Sequence, residues 1–306
     1  MGLELWVVLA IGAALAQTTR NVIAQSVSAK ISPALNSWSR FTFCLPFAAL
    51  TCAVVVASSG MPILPPTFFF YCLCTAVAQL LGNVALVTAF RVGGFGESIV
   101  LHKLEVILTA IVGALFFAEL PSRQGAAGIV ICGVGVIAIN LTRVGNKLHF
   151  SRVFSFGRAG SLALLCAGLL VAASFALKIA NGIVSDANPG ISSGSFAAPI
   201  QTLFHTTWIE VALLSVWIIS REPRSFADVP IHWRRMLLIG SAGFVASLGW
   251  FWAYSLTFVA YVKAVGQFEA LIAIALAIRL LSERELIRQL PGALLVLLGI
   301  TLVLLG

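Results

Sequence analysis

The chain has 306 residues, of which 60% are hydrophobic and only 10% are charged. Because soluble globular domains carry roughly 25% charged residues, this composition excludes such a domain and predicts a protein that lies in a membrane. The formal net charge is +8, and most of the lysines and arginines lie in short segments between apolar runs. The charge therefore bears on membrane orientation and argues against a nucleic-acid-binding surface.

Ten apolar runs follow one another along the chain, each bounded by proline, glycine or charged residues. A run of about 20 apolar residues crosses the hydrocarbon layer as a helix, since a helix satisfies its own backbone groups there. The sequence therefore predicts an all-α integral membrane protein with ten transmembrane helices. The predicted spans are 3–25, 34–57, 67–90, 95–118, 124–142, 159–184, 191–219, 235–258, 260–281 and 289–305.

The second half of the chain repeats the first. The segment EVILTAIVGALFFAE, which starts at Glu105, aligns with EALIAIALAIRLLSE, which starts 164 residues later at Glu269. Five runs in each half place the second copy upside down in the membrane, an organisation typical of secondary transporters. We therefore predict two inverted five-helix repeats, 1–150 and 151–306. The same shift superposes glycines of the last run in each copy, Gly128 on Gly292 and Gly135 on Gly299.

The stretch 250–305 resembles the end of an EamA-type domain of the drug/metabolite transporter superfamily. In that family a penultimate helix ends in a Leu-Gly-Glu-Arg-like motif, which here reads LSER at 281–284 and is followed by a glycine-containing last helix. Arg40 in the second run and Glu119 in FFAELPS match the family more loosely. The resemblance implies a transporter with a central cavity between two five-helix repeats and alternating access. We do not expect an enzyme, because the four histidines are scattered through the chain without ligand spacing.

The positively charged residues indicate the orientation of the chain. Lysine and arginine cluster in the odd-numbered loops, so the positive-inside rule places those loops in the cytoplasm and both termini outside. The family resemblance implies the reverse, and both orientations stay open. The expected location is the bacterial inner membrane, with several passes.

Charged residues at bilayer depth point to the transport site, because each costs at least about 2.5–3.5 kcal/mol on insertion scales and is expected to face a cavity or a partner. The fourth run holds His102, Lys103 and Glu105 near its centre. The repeat places Gln267 and Glu269 at the positions of Lys103 and Glu105. The carboxylate is thus duplicated and the base is not, which predicts a site for a ligand with distinct ends. The alternative is an internal ion pair that holds helices together.

Arg20 lies in the run QTTRN, five hydrogen-bonding residues that a lipid-facing helix does not tolerate, so some of them are expected to face the interior. The alternative, snorkelling to the interface, suits Lys178 better. The predicted substrate-binding set is Arg20, Asn21, Arg40, Gln79, Asn83, His102, Lys103, Glu105, Lys178, His205, Gln267 and Glu269. Glu105, Glu269 and His102 are the predicted proton-coupling groups.

The balance of charge at bilayer depth indicates the class of substrate. The bases Arg20, Arg40, Lys103, Lys178 and Lys263 outnumber the acids Glu105, Glu210 and Glu269. We therefore expect a secondary exporter or exchanger of a small polar metabolite, anionic or zwitterionic, such as an amino acid or an organic acid. A flippase of lipids or lipid head groups is the alternative, and a membrane-embedded enzyme is less favoured.

The expected partners are the solute, membrane lipids and a proton or counter-solute, with no nucleic acid. The six cysteines show no metal-ligand spacing and the chain carries no ATP-binding motif. We accordingly expect no metal and no cofactor, and energy from a gradient or from exchange.

Overall fold

The computed structural model describes residues 4–28, 30–92, 101–144, 157–190, 195–277 and 283–306. All regular elements in these ranges are helical, which confirms the predicted all-α class for this part of the chain. The helices are α1 (Leu5–Ser28), α2 (Pro33–Thr42), α3 (Leu45–Ser59), α4 (Pro66–Val92), α5 (Glu105–Phe116), α6 (Arg123–Val144), α7 (Arg158–Ala187), α8 (Ala197–Arg221), α9 (Val229–Leu256), α10 (Val259–Gly266), α11 (Phe268–Ala277) and α12 (Glu283–Leu305). A short 3-10 helix, Pro223–Asp228, joins α8 to α9.

Eight helical stretches of the described chain are long and apolar enough to cross a membrane, which supports the predicted multi-pass integral membrane protein. They are Leu5–Val27, Pro33–Ser59, Pro66–Ala89, Arg123–Leu141, Arg158–Ala187, Ala197–Arg221, Pro223–Leu256 and Arg288–Leu305. The predicted spans 95–118 and 260–281 lie partly outside the described residues. The count of ten therefore stays a prediction.

The second predicted span is interrupted in its middle. Helix α2 ends at Thr42 and α3 begins at Leu45. Pro46 stands in the first turn of α3, where its missing N–H is no loss, whereas inside a continuous helix it would remove a hydrogen bond. Arg40 lies in the last turn of α2. A cation is favourable there because the end of a helix carries partial negative charge.

The fourth and ninth predicted spans are interrupted as well. Helical residues 101–102 are followed by a turn at 103–104, and α5 begins at Glu105. Helix α10 ends at Gly266, and α11 begins two residues later at Phe268. Interrupted membrane helices are frequent at the sites of transporters, because their half-helix ends present partial charges at membrane depth. These two interruptions fall on the charged positions that the sequence singles out.

The described helices belong to two compact units, and each unit takes residues from both halves of the sequence. Unit 1 comprises Met1–Val77 and Ala176–Leu256. Unit 2 comprises Ala78–Phe175 and Thr257–Gly306. Helices α4 and α7 contribute to both units. The compact units are thus a different division from the predicted repeats 1–150 and 151–306, which remain a prediction about the sequence.

Within unit 1, α1 runs antiparallel to α9. A side chain on Gly249 would begin 2.9 Å from the Cβ atom of Ala13, and at the other end of the pair Arg235 Nη1 donates to the carbonyl oxygen of Ser26 at 3.3 Å. An apolar core closes the same unit around Val27, Ile31, Leu35, Met236 and Ile239. Because α1 packs closely on α9, the Arg20 side chain of α1 lies against α9 beside Gly243.

Within unit 2, α6 runs antiparallel to α12, and glycines allow the two backbones to approach. A methyl group on Gly128 would begin 2.7 Å from the carbonyl oxygen of Gly299. One on Gly135 would begin 2.8 Å from that of Gly292. Small residues of this kind are typical of helix contacts in membranes, where close packing replaces the hydrophobic effect as the driving force.

Replacing Gly128 by alanine is expected to separate α6 from α12, because the added methyl group would meet backbone atoms that cannot move aside. We expect the free energy of unfolding to fall by about 1–3 kcal/mol, as for other overpacked sites. The fall is measured as a lower unfolding temperature in detergent micelles. The matched control is Gly168→Ala in α7, where nothing lies within 4 Å of the added carbon. Equal unfolding temperatures for the two variants would contradict the prediction.

Candidate functional site

Each unit contains a cluster of charged and polar side chains that are buried or partly buried. The lysine–glutamate cluster of unit 2 consists of His102, Lys103, Glu105, Lys263, Gln267 and Glu269. The arginine cluster of unit 1 consists of Arg20, Arg40, Cys44, Thr207 and Glu210.

Two ion pairs hold the lysine–glutamate cluster together. Lys103 Nζ lies 2.6 Å from Glu269 Oε1, and Lys263 Nζ is paired with Glu105 Oε1. Each lysine therefore meets the glutamate of the other interrupted span. The side chains expose 7–20% of their surface, and pairs this well shielded gain more from their mutual attraction than exposed ones do.

Helix ends favour the charges where the interruptions place them. Glu105 is the first residue of α5, and Glu269 lies in the first turn of α11. Lys263 lies in the last turn of α10. Carboxylates at the start of a helix and ammonium groups at its end each gain about 0.3–1 kcal/mol from the aligned peptide dipoles. The local sequence and the ion pairs thus stabilise the same arrangement.

The partner of Glu105 is not the residue that the repeat indicates. The repeat places Gln267 at the position of Lys103, but the base that meets Glu105 is Lys263, one helical turn earlier. Gln267 Oε1 instead accepts a hydrogen bond from Lys103 Nζ at 3.4 Å, and its Nε2 donates to the carbonyl oxygen of Lys263 at 3.3 Å. Sequence reasoning counted Lys263 as a base at bilayer depth and left it out of the site.

His102 lies beside the second ion pair. Its Nε2 atom is 3.9 Å from Glu105 Oε2, and its Nδ1 atom is 3.6 Å from the thiol sulfur of Cys166. The imidazole and Lys263 thus contact the same carboxylate. Within the described ranges, no group of three or more His, Cys, Asp or Glu side chains is arranged to hold a metal ion.

Glu119 anchors the half-helix that carries Lys263. Its Oε2 atom accepts a hydrogen bond at 2.9 Å from the backbone N–H of Val259, the first residue of α10. The carboxylate is buried, and the preceding residue, Ala118, holds a left-handed backbone with φ 53°. A carboxylate at the start of a helix satisfies an otherwise orphaned N–H and suits the local partial charge.

The two guanidinium side chains of the arginine cluster converge on one glycine of α9. Arg20 Cδ and Arg40 Cγ each lie 3.6 Å from the point where a side chain on Gly243 would begin. Arg20 is buried and donates from Nε and Nη2 to Asn21 Oδ1 at 3.2 and 2.8 Å. The absence of a side chain at Gly243 leaves room for both stems.

Glu210 of α8 brings the only buried carboxylate of this cluster. It is 2% exposed and interacts electrostatically with Arg40. The thiol of Cys44, at the interruption between α2 and α3, contacts the Thr207 hydroxyl and lies in the field of Glu210 and both arginines. Arg40 Nε and Glu210 Oε1 have no hydrogen-bond partner within the described chain. Buried polar atoms without partners are uncommon and indicate a place for water or a solute.

A family model for the EamA-like transporter family matches residues 4–141 and again residues 158–305. The chain belongs to the EamA-like transporter family. A solved structure described only as a crystal structure of a protein has a TM-score of 0.72 and 16% sequence identity, covering 97% of this chain and 95% of the other. At that identity the likeness shows the fold alone. No protein with a curated description matches the chain.

Other predicted site residues of this EamA-like transporter lie outside the two clusters. His205 of α8 is surrounded by phenylalanine rings, and its Nδ1 atom accepts from Trp208 Nε1 at 3.0 Å. Its described contacts are thus aromatic. Gln79 and Asn83 are partly buried on α4, and Lys178 is partly buried on α7. Their assignment to a binding site remains a prediction.

Glu105→Gln is expected to destabilise the EamA-like transporter, because it leaves the buried Lys263 ammonium without its carboxylate. Breaking a buried pair costs about 3–5 kcal/mol, measured as a fall in the unfolding temperature in detergent. The double variant Glu105→Gln and Lys263→Gln removes both charges and is expected to recover most of the loss. A double variant no more stable than Glu105→Gln would contradict the pairing.

Moving the base by one helical turn provides a second test of the cluster. Lys263→Gln is expected to lower the unfolding temperature, and adding Gln267→Lys is expected to raise it again, because residue 267 occupies the repeat position of Lys103 and can supply Glu105 with a cation. Thermal unfolding of the single and double variants measures the rescue. The prediction fails if Gln267→Lys changes the unfolding temperature by the same amount in the presence and absence of Lys263.

Proposed function

We propose that this EamA-like protein is a secondary transporter that moves a small anionic or zwitterionic metabolite, such as an amino acid or an organic acid, by alternating access. Family membership supports membrane transport. The observation that supports the substrate class is the excess of guanidinium over carboxylate in the arginine cluster. Organic acids and amino acids share a carboxylate, which both arginines are suited to bind.

The two clusters differ in net charge. In the lysine–glutamate cluster, two lysines match two glutamates, so its positive charges are already neutralised. In the arginine cluster, Arg20 and Arg40 both lie beside Gly243, and among the five residues that define the cluster the one carboxylate is that of Glu210, which interacts with Arg40. The planar guanidinium fork matches a carboxylate in two-point hydrogen bonds. The anion is therefore assigned to Arg20 and Arg40.

The ion pairs of unit 2 support a holding role for Lys103, Glu105 and Glu269. Each charge is engaged with a protein partner, and a substrate that replaced one would leave the other uncompensated. This favours the alternative in which internal pairs join the interrupted spans. The remaining predicted ligands, Asn21, Gln79, Asn83, Lys178 and His205, stay part of the proposal without a further observation that supports them.

The ten-helix inverted arrangement is part of the same proposal. Helices α6 and α12 close the two segments that match the family, and they pack antiparallel within unit 2. Final helices that run in opposite directions are what two inverted five-helix repeats require. The proposed location is the bacterial inner membrane, and the proposed energy source is a proton gradient or exchange with a second solute.

Purified protein in sealed proteoliposomes tests the function. We expect uptake from a radiolabelled panel to favour carboxylic acids or amino acids over quaternary cations. Preferential transport of cations would overturn the substrate class. Movement of a fluorescent lipid without movement of any soluble compound would replace the proposal by lipid flipping.

Arg40→Gln is expected to lower uptake of the preferred acid about tenfold or more, since hydrogen bonds to charged groups contribute about 1.5–3 kcal/mol. The matched control is Arg234→Gln on α9, an exposed arginine that stacks on the neighbouring Trp233. Its uptake is expected to equal that of the unchanged protein. Equal uptake by both variants would remove Arg40 from the site.

A further inference from the structure

Glu210 is a buried carboxylate without a close counter-ion. It lies near the middle of α8, inside the apolar stretch Ala197–Arg221, and is 2% exposed. Within the described part of the chain, no lysine, arginine or histidine nitrogen forms an ion pair of 4.0 Å or less with it. Its Oε1 atom also has no hydrogen-bond partner there.

The other two glutamates that the sequence predicts at bilayer depth, unlike Glu210, form ion pairs. Glu105 and Glu269 each touch a lysine ammonium, which supplies a positive charge at contact distance. An ionised carboxylate taken out of water without such a contact costs several kcal/mol, and binding a proton removes that cost. Of the three, Glu210 therefore has the strongest physical reason to take up a proton.

Few charged or titratable groups of the described chain lie on the elements next to Glu210. Arg40 comes from α2 and the Cys44 thiol from the start of α3, and Arg20 of α1 acts on the same thiol. Helix α3 carries no Asp, Glu, Lys, Arg or His, and neither does the part of α4 in unit 1. The charged residues of α9 lie in its first two turns, where Arg235 contacts Ser26. Among the described residues, Arg40 is the cation that interacts electrostatically with Glu210.

We propose that Glu210 binds the proton that crosses with the substrate, and that the Glu210 carboxylate and the anionic group of the substrate compete for Arg40. This inference rests on the proposed function. It assigns proton coupling to a residue other than the predicted Glu105, Glu269 and His102.

The proposed cycle balances one proton against one anion. A proton from water on one side binds Glu210 Oε1 and makes the side chain neutral, so Arg40 is free to bind the anion. On the other side the proton returns to water, and the ionised Glu210 displaces the anion from Arg40. By linkage, each ligand raises the affinity for the other by the same factor. An inward proton gradient would therefore drive anion uptake.

Infrared difference spectroscopy tests the protonation of Glu210 without any transport assay. At neutral pH we expect the unchanged protein to show the carbonyl band of a protonated carboxylic acid. The band should be lost in Glu210→Gln and kept in Glu222→Gln, a control at the end of α8 outside the apolar stretch. A spectrum of Glu210→Gln that keeps the whole band would overturn the proposal.

Stability gives an independent test. Glutamine has the size and neutral charge of protonated glutamic acid, so Glu210→Gln is expected to unfold at the same temperature as the unchanged protein at neutral pH. Glu105→Gln, which leaves a lysine uncompensated, is the contrasting variant. If Glu210→Gln lowered the unfolding temperature as much as Glu105→Gln does, Glu210 would be ionised and the proposal would be overturned.

Transport in proteoliposomes tests the coupling. We expect Glu210→Gln to lose at least tenfold in accumulation driven by a pH gradient and to exchange labelled for unlabelled substrate at a rate that no longer changes with pH, with Glu222→Gln unchanged in both. Retained accumulation in Glu210→Gln would overturn the coupling. If the unchanged protein moves none of the soluble panel, the proposed function fails. The infrared and stability results would then still decide whether Glu210 carries a proton.

Discussion

The crossed pairs Lys103–Glu269 and Lys263–Glu105 are the constraint on which unit 2 depends. The sequence predicts these four charged groups at membrane depth, where each would be costly alone, and each is placed at or beside the end of a half-helix and against an opposite charge. Free peptide groups at the helix ends and ionised side chains both need polar partners where water is scarce. Placing the charges at the interruptions supplies partners to both. The glycine contact between α6 and α12 and the Glu119 anchor of α10 complete that unit.

Unit 1 meets the same physical constraint in another way. Arg40 interacts electrostatically with the buried carboxylate of Glu210, which has no ion pair of 4.0 Å or less within the described chain. A balanced cluster resists exchange of its partners, whereas an unbalanced one gains from binding an anion or a proton. We therefore propose different tasks for the two clusters, with unit 2 holding interrupted helices and unit 1 binding a solute.

Particular elements show how far the sequence predicts this structure. The predicted span 124–142 lies within one to two residues of the helix described at Arg123–Val144, because continuous apolar character marks membrane helices strongly. The repeat placed Glu105 and Glu269 at equivalent positions. The same fixed shift missed Lys263, because a base one turn away on a helix reaches the same partner. Glu210 appeared in the charge count and was not assigned to the site.

By itself, the sequence determined that the chain lies in a membrane, that its elements are helices and that it repeats, and it predicted which charges lie at bilayer depth. Those properties follow from composition and local spacing. Only the tertiary structure decided which base meets which acid, since the two ion pairs join residues 158 and 166 positions apart. It also decided that Glu105 and Glu269 form ion pairs with lysines, whereas Glu210 forms none with the described residues. Such pairing depends on which helix faces come together, and no local pattern specifies that.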